Sequence, residues 1–236
     1  MKIHAIICTR DRKLNAVTNG LVRKFMEFSI PVKILPHQES IFSAYRKGLD
    51  HCEAEDEDIV IMCHDDIQIL DNQETFEKAL SVCLEDKTGI VGPAGTTHLN
   101  HQAVWWDWEN QAQGLHRGSV KHVHNKNAET NRKQGESHII STVYGPPGRV
   151  VVLDGLFLAA QKKVWEKVGL EKPEYFPGKW DFYDLHYTSQ AHLLGYENFA
   201  IPLDIIHHSG GELAGRTSWH KNREAFIAHT ALPLSV

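Results

Sequence analysis

Apolar and polar positions follow two different patterns in the first third of the chain. Apolar runs of strand length stand at 3–8, 31–35, 59–63 and 90–91. Between them, apolar residues recur every three or four positions, which predicts helices around 14–26, 41–49 and 76–84. Asp11 and Ser40 stand where the first two helices need an N-cap residue. This succession of strands and helices predicts a parallel sheet with right-handed crossovers.

The regular pattern stops between 97 and 148, in a segment rich in histidine and tryptophan. Its histidines are His98, His101, His116, His122, His124 and His138, and its tryptophans are Trp105, Trp106 and Trp108. A segment of this length without a regular period is uncommon inside a compact domain. Two interpretations stay open: a functional lid or acceptor-side segment, and a poorly ordered or oligomer-covering insertion.

Regular periodicity returns in the last third of the chain. The strands predicted there are 149–153, 156–160, 198–201 and 205–206, and the helices are 162–168, 183–194 and 218–230. Gly195 is placed to end the second of these helices, and Ser218 is placed to cap the third. The whole chain is therefore predicted to be a single α/β domain.

Composition removes several classes of protein. The chain has 236 residues, a net charge of −5 and 42% apolar residues. A disordered chain would have fewer apolar residues, and a protein that neutralises nucleic-acid phosphates is usually basic. No secretory signal pattern and no apolar run of about 18 residues is visible. We therefore expect a cytoplasmic protein with no transmembrane segment and no nucleic-acid partner.

The sharpest candidate for chemistry is His64-Asp65-Asp66, which directly follows the predicted strand 59–63. In open parallel sheets, ligands bind beyond the carboxyl ends of the strands. Carboxylates at such a position are costly unless they bind a cation or face water. A divalent cation, Mn²⁺ or Mg²⁺, that bridges to a diphosphate would satisfy them. The alternative is an acidic turn that caps a helix.

Three later segments also carry candidate groups. Residues 181–184 place acids at a helix start, where a carboxylate is either a cap or a general base. His207-His208 follows an apolar strand and is either a pair of structural histidines or a source of a metal ligand. Asp154-Gly155 joins two strands, where glycine permits close approach of a ligand or simply makes a turn.

Two more segments complete an ordered set: Thr9-Arg10 after the first strand, and Ser-Ala-Tyr-Arg-Lys-Gly-Leu at 43–49. The set resembles the nucleotide-sugar-dependent glycosyltransferases of the GT-A fold. More narrowly, it resembles the family-2-like group of the streptomycin biosynthesis protein StrF. The resemblance covers about 3–95 and 149–210. It implies a Rossmann-like, mostly parallel sheet flanked by helices in one domain, 1–236, made of a nucleotide-binding half 1–95, an insertion or lid 97–148 and an acceptor-side half 149–236.

The resemblance also implies roles for individual residues. His64 and Asp66 match a metal motif in which Asp66 is the direct ligand, and His207 or His208 matches a late histidine that completes the metal shell. The acid that acts as base in inverting members corresponds to Asp184. The expected cofactor is therefore Mn²⁺ or Mg²⁺.

The remaining matches concern the donor. Thr9 and Arg10 match the loop that meets the base and ribose, and Arg46 stands where asparagine is more usual. Asp65 is also expected to contact the nucleotide. The pair Asp154-Gly155, within Leu-Asp-Gly-Leu-Phe at 153–157, matches a segment near the donor sugar and acceptor.

The activity implied is an inverting, hexosyltransferase-like transfer from a UDP-, GDP- or TDP-sugar to the hydroxyl of an acceptor glycan or small molecule. Trp180 or Trp105 could stack on sugar faces or simply pack in the core. Two other classes stay open: a metal-dependent hydrolase or phosphoesterase, and a non-catalytic nucleotide-sugar-binding module. A homo-oligomer is also compatible with the sequence.

Overall fold

The computed structural model describes residues 1–9, 14–125, 137–208 and 217–236. Its strands, in chain order, are β1 Ile3–Cys8, β2 Val32–Leu35, β3 Ile59–His64, β4 Ile67–Ile69, β5 Thr88–Gly92, β6 Ala94–Thr96, β7 His98–Leu99, β8 His116–Asn125, β9 Ser137–Gly145, β10 Gly148–Val150, β11 Val152–Leu153, β12 Phe157–Gln161, β13 Glu197–Ala200, β14 Ile205–His207 and β15 Leu234–Ser235. Its helices are α1 Ala16–Glu27, α2 Ile41–Asp50, α3 Gln73–Leu80, α4 Trp108–Ala112, α5 Lys162–Val168, α6 Tyr183–Leu193 and α7 Thr217–His229, and a 3₁₀ turn, Ser81–Leu84, follows α3.

The main sheet has the strand order β10-β13-β5-β12-β3-β1-β2. β1 pairs in parallel with β2 and β3, as the sequence predicted. β12 runs antiparallel between β3 and β5, so the sheet is mixed rather than parallel throughout. The predicted α/β class is confirmed.

The central strands of this sheet are apolar and buried, and amphipathic helices cover them. Every residue of β1 is buried, as are the first five residues of β3, which is why both strands read as unbroken apolar runs. α1 buries Leu21 and Phe25, while α2 buries Phe42, Tyr45 and Leu49. The opposite faces of both helices are exposed, which gives the helical period seen in the sequence.

A second sheet, of order β11-β6-β8-β14-β4 with β9 paired to β8, is built partly from the segment that showed no periodicity. β8 and β9 form a long antiparallel ribbon. The described part of the segment 97–148 therefore contains regular strands that the sequence pattern did not predict. Its strands were missed because they mix polar and apolar side chains without a period. β8 also pairs in parallel with β14, with His122 opposite His207.

The ends of the helices partly follow prediction. The side chain of Asn15 accepts from the amide of Thr18 and caps α1, so the choice of Asp11, which lies outside the described residues, was wrong. Ser40 does occupy the N-cap position of α2, but its hydroxyl donates to the carbonyl of Lys179. Ser218 lies inside α7 rather than before it.

Gly195 follows α6 with φ of +90°, the left-handed conformation expected of a glycine that ends a helix. Over the described ranges, no helix combines the length and the apolarity needed to cross a bilayer. The cytoplasmic location stays a prediction.

Candidate active site

Three side chains from two sheets form a compact cluster. His64 ends β3, Asp66 lies in the turn to β4, and His207 ends β14. Because β4 and β14 pair with Ile67 opposite His207, this turn brings Asp66 next to His207. Oδ1 of Asp66 lies 3.3 Å from Nε2 of His207 and 3.7 Å from Nδ1 of His64. Each residue offers a ligand atom, and these atoms lie within 4.8 Å of one another.

The chemistry of this triad of His64, Asp66 and His207 fits a divalent cation. Oδ1 of Asp66 and Nε2 of His207 are both buried, and within the described part of the chain neither has a hydrogen-bond partner of acceptable geometry. Buried polar atoms without partners are costly, and a cation would satisfy both. Mixed imidazole and carboxylate ligands suit Mn²⁺, whereas Mg²⁺ prefers oxygen ligands alone.

The triad also keeps its acid ionised. Burial alone would raise the pKa of Asp66, but His207 and His64 beside it lower that pKa to about 2. Burial opposes a charge on His207, yet the contact with Asp66 outweighs it and raises the pKa of His207. Burial lowers the pKa of His64. The cluster therefore presents a carboxylate and two basic nitrogens in one small volume.

His208 is not brought into this cluster. Its side chain is exposed, and its Nε2 lies 3.4 Å from Oε1 of Gln68. Only its backbone reaches the site, because its amide donates to the carbonyl of Asp66 at 2.8 Å. Successive side chains of a strand point to opposite faces, so only one of the two histidines can face Asp66. The prediction of His208 as a metal ligand is therefore corrected: of the two histidines, it is His207 whose side chain lies beside Asp66.

Gly155 connects the triad to the start of α6. Its carbonyl accepts from the hydroxyl of Tyr183 at 2.8 Å, and its amide donates to Oδ2 of Asp184 at 3.2 Å. A Cβ atom on Gly155 would lie 2.2 Å from the Tyr183 hydroxyl oxygen and 2.8 Å from Cβ of Asp184. The residue must therefore be glycine for α6 to approach this closely. Nε2 of His64 lies 2.6 Å from the Tyr183 hydroxyl and completes the connection.

Asp184 changes its charge near neutral pH. Burial raises its pKa, the nearby charge of Asp154 raises it further, and the result is about 7. The helix N-terminus favours the carboxylate, but here burial and repulsion outweigh it. A carboxyl group with this pKa is suited to accept a proton at physiological pH.

The charge of Asp154 influences both the triad and Asp184. Its charge acts on the pKa values of His64 and His207 as well as on that of Asp184. Its Oδ1 accepts from the amide of Leu156 at 3.2 Å, which fixes the carboxylate at the turn. The four predicted residues Asp66, His207, Asp154 and Asp184 are thus brought to one region.

The turn before α6 is held in an unusual conformation. Phe182 has φ of +66°, which typically costs about 1–3 kcal/mol for a residue other than glycine. Two residues of α7 fix this turn: Ser218 donates to the carboxylate of Asp181 at 2.9 Å, and Asn222 donates to its carbonyl at 2.8 Å. These bonds set the direction from which α6 begins and hence the position of Asp184.

Thr9 and Asp65 meet beside the triad. Burial raises the pKa of Asp65, and a hydrogen bond with the Thr9 side chain lowers it in part. The hydroxyl of Thr18 donates to the carbonyl of Asp65 at 3.0 Å and ties this turn to α1. Arg10, predicted to contact the nucleotide, lies outside the described residues.

Arg46 is not brought to the site. It lies on the exposed face of α2, where its Nε is 2.9 Å from Asp50 and its Nη1 contacts Glu171. The opposite face of the helix carries Tyr45, whose ring packs against that of Tyr183. The prediction that Arg46 contacts a nucleotide is therefore corrected: the helix faces the site, but this residue points away from it.

The structure decides between the two interpretations of Trp105 and shows contacts of Tyr183 that the sequence did not predict. Trp105 is only 1% exposed and packs against His116 and Tyr144, so it cannot stack on a bound sugar. Tyr183 was not predicted to have a role. The only available signal was its position next to Asp184, since its partners come from distant parts of the chain.

Comparisons with known proteins identify the family and the fold of the chain. The family model described as "Glycosyltransferase like family" matches residues 7–229. A crystal structure of GalNAc-T7 with UDP, GalNAc and Mn²⁺ has a TM-score of 0.56 at 11% identity, over 95% of this chain and 47% of that one. The chain thus spans about half the length of that protein, and the likeness shows a shared GT-A fold.

Two further structures are more distant. A197 from STIV has a TM-score of 0.47 at 15% identity, over 89% of this chain and 86% of that one. The cytidylyltransferase IspD of Francisella tularensis, which acts on 2-C-methyl-D-erythritol 4-phosphate, has a TM-score of 0.35 at 11% identity, over 83% of this chain and 88% of that one. Neither carries weight here. No curated protein matches the chain.

Proposed function

Since the chain belongs to this glycosyltransferase-like family, we propose that it transfers a sugar from a nucleotide-diphosphate sugar to an acceptor hydroxyl, with inversion at the anomeric carbon. The donor is a UDP-, GDP- or TDP-sugar, and the acceptor is a glycan or a small molecule. One observation carries the proposal: the triad of His64, Asp66 and His207, with its ligand atoms within 4.8 Å of one another, and a carboxyl group with a pKa of about 7 flank the same Asp154-Gly155 turn.

The donor would bind at the triad end of the site. His64, Asp66 and His207 would hold Mn²⁺ or Mg²⁺, and such an ion neutralises the charge that develops on a leaving diphosphate. Thr9 and Asp65 lie on the β1 side, where they are placed to meet the ribose or base. Asp154 is placed to accept from a sugar hydroxyl, because its Oδ1 is fixed at the turn by the Leu156 amide.

Asp184 would act at the acceptor end. Its carboxylate takes the proton of the acceptor hydroxyl as that oxygen attacks the anomeric carbon on the face opposite to the leaving diphosphate. The Gly155 amide holds Oδ2 of Asp184 in place, which keeps the carboxylate pointed at the turn. With a pKa of about 7, the group can accept the proton and then release it to solvent at neutral pH.

A screen of donors tests the proposal directly. We expect one or more of the UDP-, GDP- and TDP-sugars to raise the melting temperature in the presence of Mn²⁺, because ligands that bind the folded state stabilise it. The same donor should then release nucleoside diphosphate when glycans or small alcohols are added. Asp66→Ala should abolish both effects, while Asp50→Ala, an acid on the exposed face of α2, should preserve them.

The two alternative classes give different results in this screen. Release of phosphate from p-nitrophenyl phosphate without any acceptor would favour a phosphoesterase. Stabilisation by a donor with no turnover in any acceptor would favour a binding module. Survival of donor turnover in Asp66→Ala at the wild-type rate would show that the triad has no part in the reaction.

A further inference from the structure

The hydroxyl of Tyr183 has a single proton and, among the residues that the structure describes, two hydrogen-bond partners. It lies 2.8 Å from the carbonyl oxygen of Gly155 and 2.6 Å from Nε2 of His64. A carbonyl oxygen can only accept, so the phenol proton is committed to Gly155. The phenol oxygen must then accept from His64, which places a proton on Nε2 of that imidazole.

This assignment determines which nitrogen of His64 is available to a cation. In a neutral imidazole, protonation of Nε2 leaves the lone pair on Nδ1. Nδ1 is the nitrogen that faces the triad, 3.7 Å from Oδ1 of Asp66. The opposite tautomer would put a proton between the imidazole and the position of the cation and would block coordination.

We propose that Tyr183 is a positioning residue for the metal site, which fixes His64 in the tautomer and orientation that present Nδ1 to a divalent cation. The proposal rests on the proposed function, because it concerns the same triad. Metal-binding histidines usually donate their second ring N–H to a carboxylate, a carbonyl or water, and removal of that partner typically lowers metal affinity. Here a phenol relays the bond to a backbone carbonyl.

The surroundings of Tyr183 are suited to this task. The side chain is 4% exposed, and the rings of Phe42, Tyr45 and Tyr187 pack around it. Because these rings hold the phenol in place, His64 can donate to its oxygen in only one ring orientation.

Gly155 connects the two ends of the site through two hydrogen bonds. Gly155 accepts from Tyr183 through its carbonyl and donates to Asp184 through its amide. Tyr183 and Asp184 are consecutive, so one turn of α6 positions both a metal ligand and the proposed base. Local backbone geometry therefore positions His64 and Asp184 relative to each other.

The ring nitrogens of His64 provide the first test, and they require neither donor nor acceptor. Long-range ¹H–¹⁵N spectra of the metal-free protein at about pH 8, where an ordinary imidazole is neutral, distinguish the two tautomers. The His64→Gln variant assigns the resonances. We expect protonated Nε2 and unprotonated Nδ1 in the wild type. A proton on Nδ1 would overturn the proposal.

Metal affinity provides the second test. Tyr183→Phe should lower the affinity for Mn²⁺, measured by electron paramagnetic resonance, by about 10–100-fold. Tyr187→Phe is the matched control, because that buried hydroxyl on the same helix donates to the carbonyl of Leu170 at 3.0 Å. It should leave Mn²⁺ affinity unchanged.

Equal affinities in the two variants would overturn the role of Tyr183. Failure of the proposed function would look different. Loss of Mn²⁺ binding in Tyr183→Phe, together with no turnover of any donor by the wild type, would support the positioning role and contradict glycosyl transfer.

Discussion

Nε2 of His207 lies 3.3 Å from Oδ1 of Asp66, and the pairing of β4 with β14 creates this contact. The next residue, His208, points to the opposite face and is exposed. We therefore expect His207→Ala to abolish Mn²⁺ binding, whereas His208→Ala should bind Mn²⁺ with nearly wild-type affinity. Isothermal titration with MnCl₂ measures both. Equal losses in the two variants would contradict the assignment.

The pKa of Asp184 predicts the pH dependence of transfer. A base must be deprotonated to act, and Asp184 loses its proton at about pH 7. With saturating metal, kcat/KM should therefore rise with pH through this value and level off above it. Asp184→Asn should lower kcat by about 10²–10⁴-fold and should remove this rise, while donor binding is retained. A variant that keeps the wild-type profile would exclude Asp184 as the base.

The same carboxyl group should make stability depend on pH. The unfolded chain loses this proton near 3.8 and the folded chain near 7, so the folded state binds more protons between these values. The free energy of unfolding contributed by this group therefore falls as pH rises through the window, and the loss is complete above about pH 7. Asp184→Asn should gain melting temperature over the wild type at about pH 8 and gain less at about pH 5. A larger gain at the lower pH would contradict this sign.

Substitution of Gly155 should damage fold and function together. An added Cβ would lie 2.2 Å from the Tyr183 hydroxyl oxygen, so α6 must move. We expect Gly155→Ala to lose about 1–3 kcal/mol in urea unfolding and most of its transfer activity. Gly20→Ala is the matched control: Gly20 lies in the middle of α1, and no atom of the described ranges lies within 4 Å of a Cβ added there. It should be neutral or slightly stabilising.

Replacement of Arg46 should have little effect on donor binding. Its ion pairs with Asp50 and Glu171 are largely exposed, and such pairs contribute about 0–1 kcal/mol. Arg46→Ala should therefore keep KM for the donor within about twofold of the wild type, because the lost energy lies outside the site. A large rise in KM would show that the side chain reaches the nucleotide during the reaction.

The sequence was sufficient for the features that depend on local pattern. Unbroken apolar runs located β1 and β3, and the acids after β3 located one end of the site. It could not choose between His207 and His208, because both stand at the end of the same short strand and only the pairing of that strand with β4 decides which side chain faces Asp66. The role of Tyr183 was equally hidden, since its hydroxyl contacts residues from β3 and from the turn before β12.

The segment between 97 and 148 illustrates the other limit. Its strands carry polar residues on both faces and show no alternation, yet β8 pairs with β6, β9 and β14. Hydrogen bonds of the backbone, which leave no trace in side-chain periodicity, hold these strands. Whether the segment acts as a lid, and whether the chain forms oligomers, stay predictions.

The triad draws on two separately hydrogen-bonded layers, because His64 ends a strand of the main sheet while His207 ends a strand of the second. A cation held there would act as a crosslink between them. β14 lies directly against β8, with His207 in register with His122, so the crosslink would reach the histidine-rich ribbon through a single strand pairing. Loading the ion would therefore restrain the end of β3 against the end of β14, the strand that pairs with β8.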